Sequence, residues 1–183
     1  MEIKKIINFC KKRGALYLFD GDGCQWISDG IAVYPLFNLP IFDEESILKA
    51  YDINGKKAEK LFIKRDDLPD VLDFSDNVPG ELVCGMGDVI FGDALAISTS
   101  AGLMFIDRKY LSPFRDMQDD MLYIYERMSK SGNTYFAIKI GFSLVGIVMP
   151  YDCVNESFVE KLGRYYEQSK LALENKNVEG DRR

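Results

Sequence analysis

Residues 103–150 read LMFIDRKYLSPFRDMQDDMLYIYERMSKSGNTYFAIKIGFSLVGIVMP and contain the clearest order of structural signals in the chain. An apolar strand at 103–106 is followed by Asp107, a residue type that caps helices, and by a short helix predicted over 110–117. Alternating apolar and polar residues then predict three strands, at 122–126, 134–140 and 143–149. This order predicts an α+β fold dominated by antiparallel sheet.

The rest of the chain has signals of the same kinds. Apolar residues at 3, 6, 7 and 10 predict an N-terminal helix that ends at Gly14. Asp43 is the predicted N-cap of a second short helix, and Asn155 that of a long C-terminal one. Further strands are predicted at 16–19, 24–27, 31–36 and 60–64.

Length and composition exclude several classes of protein. A chain of 183 residues with 47% hydrophobic and 28% charged residues is neither disordered nor fibrous and can bury a substantial core. No apolar run approaches the roughly 18 residues of a membrane span, and the N-terminus lacks the apolar block of a signal peptide. We therefore expect a cytoplasmic protein without a membrane partner.

The residue types that most often carry enzyme chemistry are scarce. The chain has no His, and its four Cys are scattered at positions 10, 24, 84 and 153 without a CxxC pair. A zinc site is not expected, and Ser or Cys nucleophiles lack their commonest base. We predict no catalytic residues, no metal site and no cofactor.

Negative charge is concentrated in one segment. Residues 66–93 contain eight acidic and no basic residues, whereas acidic and basic residues nearly balance on either side of it. We interpret 66–93 as an acidic connector between a first half, 1–65, and a second half, 94–183, which includes the C-terminal helix. A small protein-interaction module that binds other proteins through this connector is one functional alternative.

The two halves share an order of signals. LPIFDEESILKAYDI with KLFIK, and LMFIDRKYLSPFRDM with LYIYE, each give an apolar strand, an Asp at a helix start and an alternating strand. This order predicts an internal duplication with two similar halves.

The stretch LYLFDGDGC, residues 16–24, suggests a different function. It resembles the first motif of haloacid-dehalogenase-type phosphatases, which implies a Mg²⁺-dependent phosphohydrolase. Asp20 would attack phosphorus, and Asp22 would handle the leaving-group proton. The next residues, CQWISDGIAVYPL, alternate as in an antiparallel hairpin, which favours an Asp-Gly turn over the parallel sheet of that family.

The segment IDRKYL at 106–111, its following strands with a Gly-Asn turn, and the ending GIVMP at 146–150 resemble the closing module of DNA sliding clamps, the processivity factors. The resemblance implies repeated units in which helices line one side of antiparallel sheets, here with an extra C-terminal helix. It implies sheet edges that pair copies of the chain into a homo-oligomer. It also implies contacts to duplex DNA without sequence preference, from Lys4, Lys5, Lys11, Lys12, Arg108 and Lys109. We therefore expect a non-enzymatic binding or assembly protein.

Overall fold

The computed structural model describes residues 1–21, 23–114 and 122–180, with all their side chains except those of 57, 87–91 and 177–180. Residues Met1–Tyr151 form one compact unit, and a second unit begins at Asp152. The first unit contains two sheets with short helices, and the second contains one long helix.

Four α-helices and one 3₁₀ helix lie within the described residues. The α-helices are α1 (Ile3–Arg13), α2 (Glu44–Ala50), α3 (Lys56–Glu59) and α4 (Glu156–Gly180), and the 3₁₀ helix spans Arg108–Phe114. The strands are β1 (Ala15–Asp20), β2 (Gln25–Ser28), β3 (Ala32–Pro35), β4 (Phe62–Asp67), β5 (Leu82–Val83), β6 (Gly85–Phe91), β7 (Ala94–Thr99), β8 (Gly102–Asp107), β9 (Leu122–Met128), β10 (Thr134–Ile140) and β11 (Ser143–Val148).

The large sheet has eight strands in the order β4-β1-β2-β3-β11-β10-β9-β5, and the small sheet has the order β6-β7-β8. Among the described residues, the strand pairs are antiparallel except that of β1 with β4. The predicted α+β fold with mainly antiparallel sheet, short helices and a C-terminal helix is therefore confirmed. Strands β3 and β11, from the two predicted halves, pair directly with Val33 opposite Ile147. The duplication and the three-part division of the chain stay predictions.

The first face of the large sheet carries the main core. Side chains alternate between the faces of a strand, so Phe136 and Ile138 of β10 point into this core. Helix α1 buries Ile6, Ile7 and Cys10 against it, and the small sheet and the 3₁₀ helix complete the cover. Gly14 ends α1 in the left-handed conformation that favours glycine, with φ of 77°.

The second face is covered by an irregular segment, residues 68–81, which we call the strap. Strand residues Trp26, Tyr135 and Ile147 form the apolar layer on this face, and the strap residues that pack against it are Leu68, Leu72 and Phe74. The ring of Phe74 meets that of Trp26 edge-on at 5.0 Å. Much of the predicted acidic connector thus lies on the sheet.

A buried charge cluster fastens the strap to the sheet. Glu81 of the strap pairs with Arg127 of β9 at 2.7 Å and with Lys139 of β10, and we call these three residues the Glu81 cluster. The two basic side chains are only 1% and 2% exposed. Arg127 also donates to the strap carbonyls of Asp73, Ser75 and Asp76 at 3.0–3.2 Å. Lys139 also lies 4.4 Å from the ring centre of Tyr125.

Burial and pairing act in opposite directions on the acid of this cluster. Burial alone would raise the pKa of Glu81, but hydrogen bonds from Lys139 and Arg127 outweigh it and lower that pKa. Glu81 is therefore held ionised, and its charge balances part of the positive charge beneath the strap.

Two local predictions needed correction. The helix predicted over 110–117 is a 3₁₀ helix in its described part, Arg108–Phe114, because Pro113 lacks the N–H that an α-helix interior needs. The strand predicted at 60–64 begins two residues later, after α3, and extends to Asp67. No helix within the described residues has the length and apolar character needed to cross a membrane.

Candidate functional site

Helix α1 and the 3₁₀ helix lie side by side and are joined by hydrogen bonds and a contact between two aromatic rings. The backbone N–H of Glu2 donates to the carbonyl of Pro113 at 2.8 Å, and Lys5 Nζ donates to that of Ser112 at 3.2 Å. Further along α1, the rings of Phe9 and Tyr110 meet edge-on with centres 5.5 Å apart. These contacts fix the two helices and leave an open groove along their junction.

We call this depression the basic groove. Its volume is about 400 Å³, and it is lined by Lys5, Asn8, Phe9, Lys12, Asp93, Arg108, Lys109 and Ser112. Four of these described lining residues are basic and one is acidic. The backbone N–H of Arg108 donates to the carbonyl of Asp93 at 2.9 Å, which ties the start of the 3₁₀ helix to the turn before β7. The groove therefore concentrates positive charge on a protein whose net charge is −6.

The structure brings four of the six predicted DNA-contact residues together. Lys5 and Lys12 are two helical turns apart on the same side of α1, and Arg108 and Lys109 begin the facing 3₁₀ helix. Lys4 and Lys11 are not among the groove's described lining residues: Lys4 is exposed and Lys11 half-buried elsewhere on α1. The helical repeat accounts for this difference, because each lies about 100° around the helix from its neighbour at the groove.

The four basic side chains differ in what already binds them. Lys5 pairs with Glu2, and Lys109 pairs with Asp107 at 2.6 Å and lies 4.6 Å from the ring centre of Tyr110. Lys12 and Arg108 are exposed and form no ion pair within the described residues. These two cations can accept an external anion without first breaking an internal pair.

A smaller pocket of about 170 Å³ continues the groove. It shares Phe9, Lys12 and Lys109 with the basic groove and adds Arg13, Asp29 and Tyr110. We call it the Asp29 pocket. The two depressions together place five basic side chains along one surface.

Asp29 is 3% exposed, yet its carboxylate is fully engaged. One oxygen accepts from the backbone N–H groups of Ile31 and Ala32 at 2.9 and 3.1 Å, and the other accepts from the Tyr110 hydroxyl at 2.8 Å. Burial and the hydrogen bond to Asp29 raise the pKa of Tyr110, so its hydroxyl stays protonated. Asp29 therefore fixes the turn after β2 and anchors the 3₁₀ helix.

The chemistry available in the groove is anion binding. Lysine and arginine side chains contact phosphate oxygens through charge-assisted hydrogen bonds. Asp29 already has three donors, so it is occupied as a structural acceptor.

Comparison with protein-family models, with curated proteins and with solved structures finds no match to this chain.

Asp20 of the phosphatase-like motif is not among the described lining residues of the basic groove. Asp20 ends β1, where its two oxygens accept from Arg65 Nε at 2.7 Å and Gln25 Nε2 at 3.0 Å. The hydrogen bond from Arg65 lowers the pKa of Asp20. Asp22 lies outside the described residues. Among the residues that the structure describes, no group of three or more Cys, Asp or Glu is arranged to hold a metal ion.

Several residues of the groove could have been suspected from the sequence. Phe9 falls off the apolar stripe of α1, although its ring also packs against the edge of the main core. Arg13 extends the basic run at the end of the helix. Asp29, Asp93 and Ser112 carried no such signal, because only the tertiary fold brings them to α1.

Proposed function

We propose that this chain is a non-enzymatic binding protein that uses the basic groove to contact the backbone of duplex DNA without sequence preference. The observation that carries the proposal is the joint position of Lys5, Lys12, Arg108 and Lys109 in one groove. Two of these cations have no internal ion pair within the described residues, so phosphates can replace their bound water and counterions.

The proposal explains how an acidic protein could bind a polyanion. Four of the eight acidic residues in 66–93 belong to the strap, which covers the second face of the large sheet, and one of the eight, Asp93, lines the groove. The groove lies at the first face, between α1 and the 3₁₀ helix. Because exposed charges further apart than about 8 Å are largely screened in physiological salt, the local charge of the groove matters more than the total charge of the protein.

A clamp-like role in the cytoplasm is consistent with this proposal. The clamp resemblance implies helices that present sparse basic residues to DNA from an antiparallel sheet, and α1 with the 3₁₀ helix is proposed to act in that way. The phosphohydrolase centred on Asp20 and Asp22, and the interaction module at 66–93, stay predictions.

The test measures binding of a fluorescent duplex of about 20 base pairs by anisotropy over a range of salt concentrations. With four to five phosphate contacts, log K should fall with log salt with a slope of about −4. Replacing Lys12 and Arg108 by Ala should weaken binding by at least about tenfold at low salt and reduce the slope by about 2.

The matched control replaces Lys49 and Lys161, two exposed lysines outside the groove, by Ala. It removes the same charge and should leave the salt slope unchanged. Equal effects of the two double variants would contradict a role for the groove. Absence of binding by the wild-type protein at tens of micromolar and low salt would contradict DNA binding itself.

A further inference from the structure

Strand β4 forms an outer edge of the large sheet and has β1 as its sheet neighbour. The backbone N–H of Phe62 donates to Gly14 of the neighbouring chain segment, and that of Leu68 donates to Asp20. Backbone groups alternate in direction along a strand, so the N–H and C=O groups of Ile63, Arg65 and Asp67 point away from the sheet. Such a row is a template for another strand.

The side chains next to this edge have a self-complementary order. Phe62, Lys64 and Asp66 share one face of β4, and Leu68 follows the strand as the first residue of the strap, so alternate positions give an apolar, basic, acidic and apolar order. Phe62, Lys64 and Asp66 are about half-exposed, at 57%, 54% and 50%, and Lys64 pairs with Asp66 of its own strand at 2.5 Å until a second copy offers the alternative partner. If a second copy of the strand lies antiparallel to the first, each apolar side chain faces an apolar one and each basic side chain faces an acidic one.

We propose that two copies of this chain associate through antiparallel pairing of their β4 strands around a two-fold axis. In an antiparallel pair, two residues exchange hydrogen bonds only if the backbone groups of both point outward from their own sheets. If Arg65 lies on the two-fold axis, Arg65 pairs with its equivalent and Ile63 pairs with Asp67 of the second copy, and all of these residues meet the condition. Lys64 then lies opposite Asp66 of the second copy, and Phe62 lies opposite Leu68 of the second copy. The two large sheets become one continuous sheet.

The remaining groups at the seam have partners in this arrangement. Each Arg65 approaches its equivalent on the axis, but each is paired with its own Asp20 at 2.7 Å, which offsets the repulsion. In the single copy, the backbone N–H of Asp67 donates to Asp66 Oδ1 at 3.0 Å. In the dimer it donates instead to the backbone carbonyl of Ile63 in the second copy.

An aromatic row beside β4 adds apolar surface to the seam. Tyr17 and Phe19 of β1 stack with ring centres 6.1 Å apart, and Phe62 meets Tyr17 edge-on at 6.0 Å. Main-chain pairing supplies affinity and the facing side chains supply specificity in strand addition. A six-residue strand gives a small interface, so we expect a dissociation constant on the order of micromolar. At the opposite edge of the sheet, β5 has two residues, too few for comparable pairing.

Sedimentation velocity over a wide concentration range tests the association with charge-swapped variants. Positions 64 and 66 face each other across the interface. Lys64→Asp makes both of them acidic and Asp66→Lys makes both basic, so like charges oppose each other. Each variant should therefore be monomeric at concentrations where the wild type is dimeric. An equal mixture of the two should form a heterodimer, because every opposing pair is again of opposite sign. The double variant with both changes should regain the homodimer.

Lys49→Asp is the control for Lys64→Asp, since it makes the same change of charge at the exposed Lys49–Glu45 pair on α2 and should leave the dimer intact. Unchanged thermal unfolding of all variants in their monomeric form shows that the fold is retained. A wild-type protein that stays monomeric at about 100 µM would overturn the proposal. If the mixture of Lys64→Asp and Asp66→Lys forms no heterodimer, Lys64 does not lie opposite Asp66 and the proposed register is wrong.

Discussion

The two faces of the large sheet use the same basic residue types in opposite ways. On the second face, Arg127 and Lys139 are buried and saturated with partners from the strap. On the first face, Lys12 and Arg108 are exposed at the basic groove and form no ion pair within the described residues. The number of basic residues is thus a poor guide to function, and the bonding of each one is the useful observation.

The physical consequences of the two arrangements also differ. A buried pair is costly to break, because the remaining charge keeps its desolvation cost without its partner. An exposed charge in water contributes little to folding and remains available to a ligand. The Glu81 cluster should therefore govern stability, and the basic groove should govern binding.

The largest effect is expected from breaking the Glu81 cluster. Glu81→Gln keeps the shape of the side chain but leaves Arg127 and Lys139 buried without a counter-charge. The free energy of unfolding should fall by about 3–5 kcal/mol, as measured by urea denaturation.

The control for this variant is Glu45→Gln, which removes the acid of an exposed pair with Lys49 on α2. Its effect should stay within about 0.5 kcal/mol. A loss of less than about 1 kcal/mol in Glu81→Gln would show that the cluster does not hold the strap.

A more gradual effect is expected from acid. The pKa of Glu81 is lowered by its two basic partners despite burial, and that of Asp73 is lowered by hydrogen bonds from Ser75. Carboxylates with lowered pKa values stabilise the folded state above their unfolded values, near 3.9 for Asp and 4.3 for Glu. This stability is lost as the pH falls through the folded pKa values.

The melting temperature should therefore decline from about pH 5 downward. Glu81→Gln has no ionisable group at position 81, so the decline of its melting temperature should be shallower. If the plots of melting temperature against pH are parallel for the wild type and Glu81→Gln, the Glu81 cluster is not the cause of the acid sensitivity.

The smallest effect is expected in the groove. Replacing Lys12 and Arg108 by Ala, the same double variant that should weaken DNA binding, should change the free energy of unfolding by no more than about 0.5 kcal/mol. A loss as large as that of Glu81→Gln would show that these cations are structural, and the contrast between the two faces would fail.

Local sequence signals predicted many elements because their causes are local. Asp43 caps α2 by accepting from the backbone N–H of Ser46, and Asn155 accepts from that of Phe158 at the start of α4. The hairpin of β10 and β11 followed from alternation with a period of two. Each of these signals depends on residues a few positions apart.

Strand pairing and the contents of the site were harder to predict. Alternation in β4 does not reveal that it lies parallel to β1, some 45 residues away in the chain. The Glu81 cluster joins the strap to β9 and β10, and neither Arg127 nor Lys139 differs locally from a solvated strand residue. Four of the six basic residues that the clamp resemblance implied as DNA contacts lie in the groove, but the sequence did not reveal that Asp29 and Asp93 lie beside them.

The contact between Trp26 and Phe74 has a practical consequence. The chain contains a single tryptophan, and that residue is 5% exposed beneath the strap. Undocking of the strap would bring the indole into water, and its emission would shift to longer wavelength. The protein therefore contains an intrinsic fluorophore that reports, without any label, whether the strap is seated on the sheet.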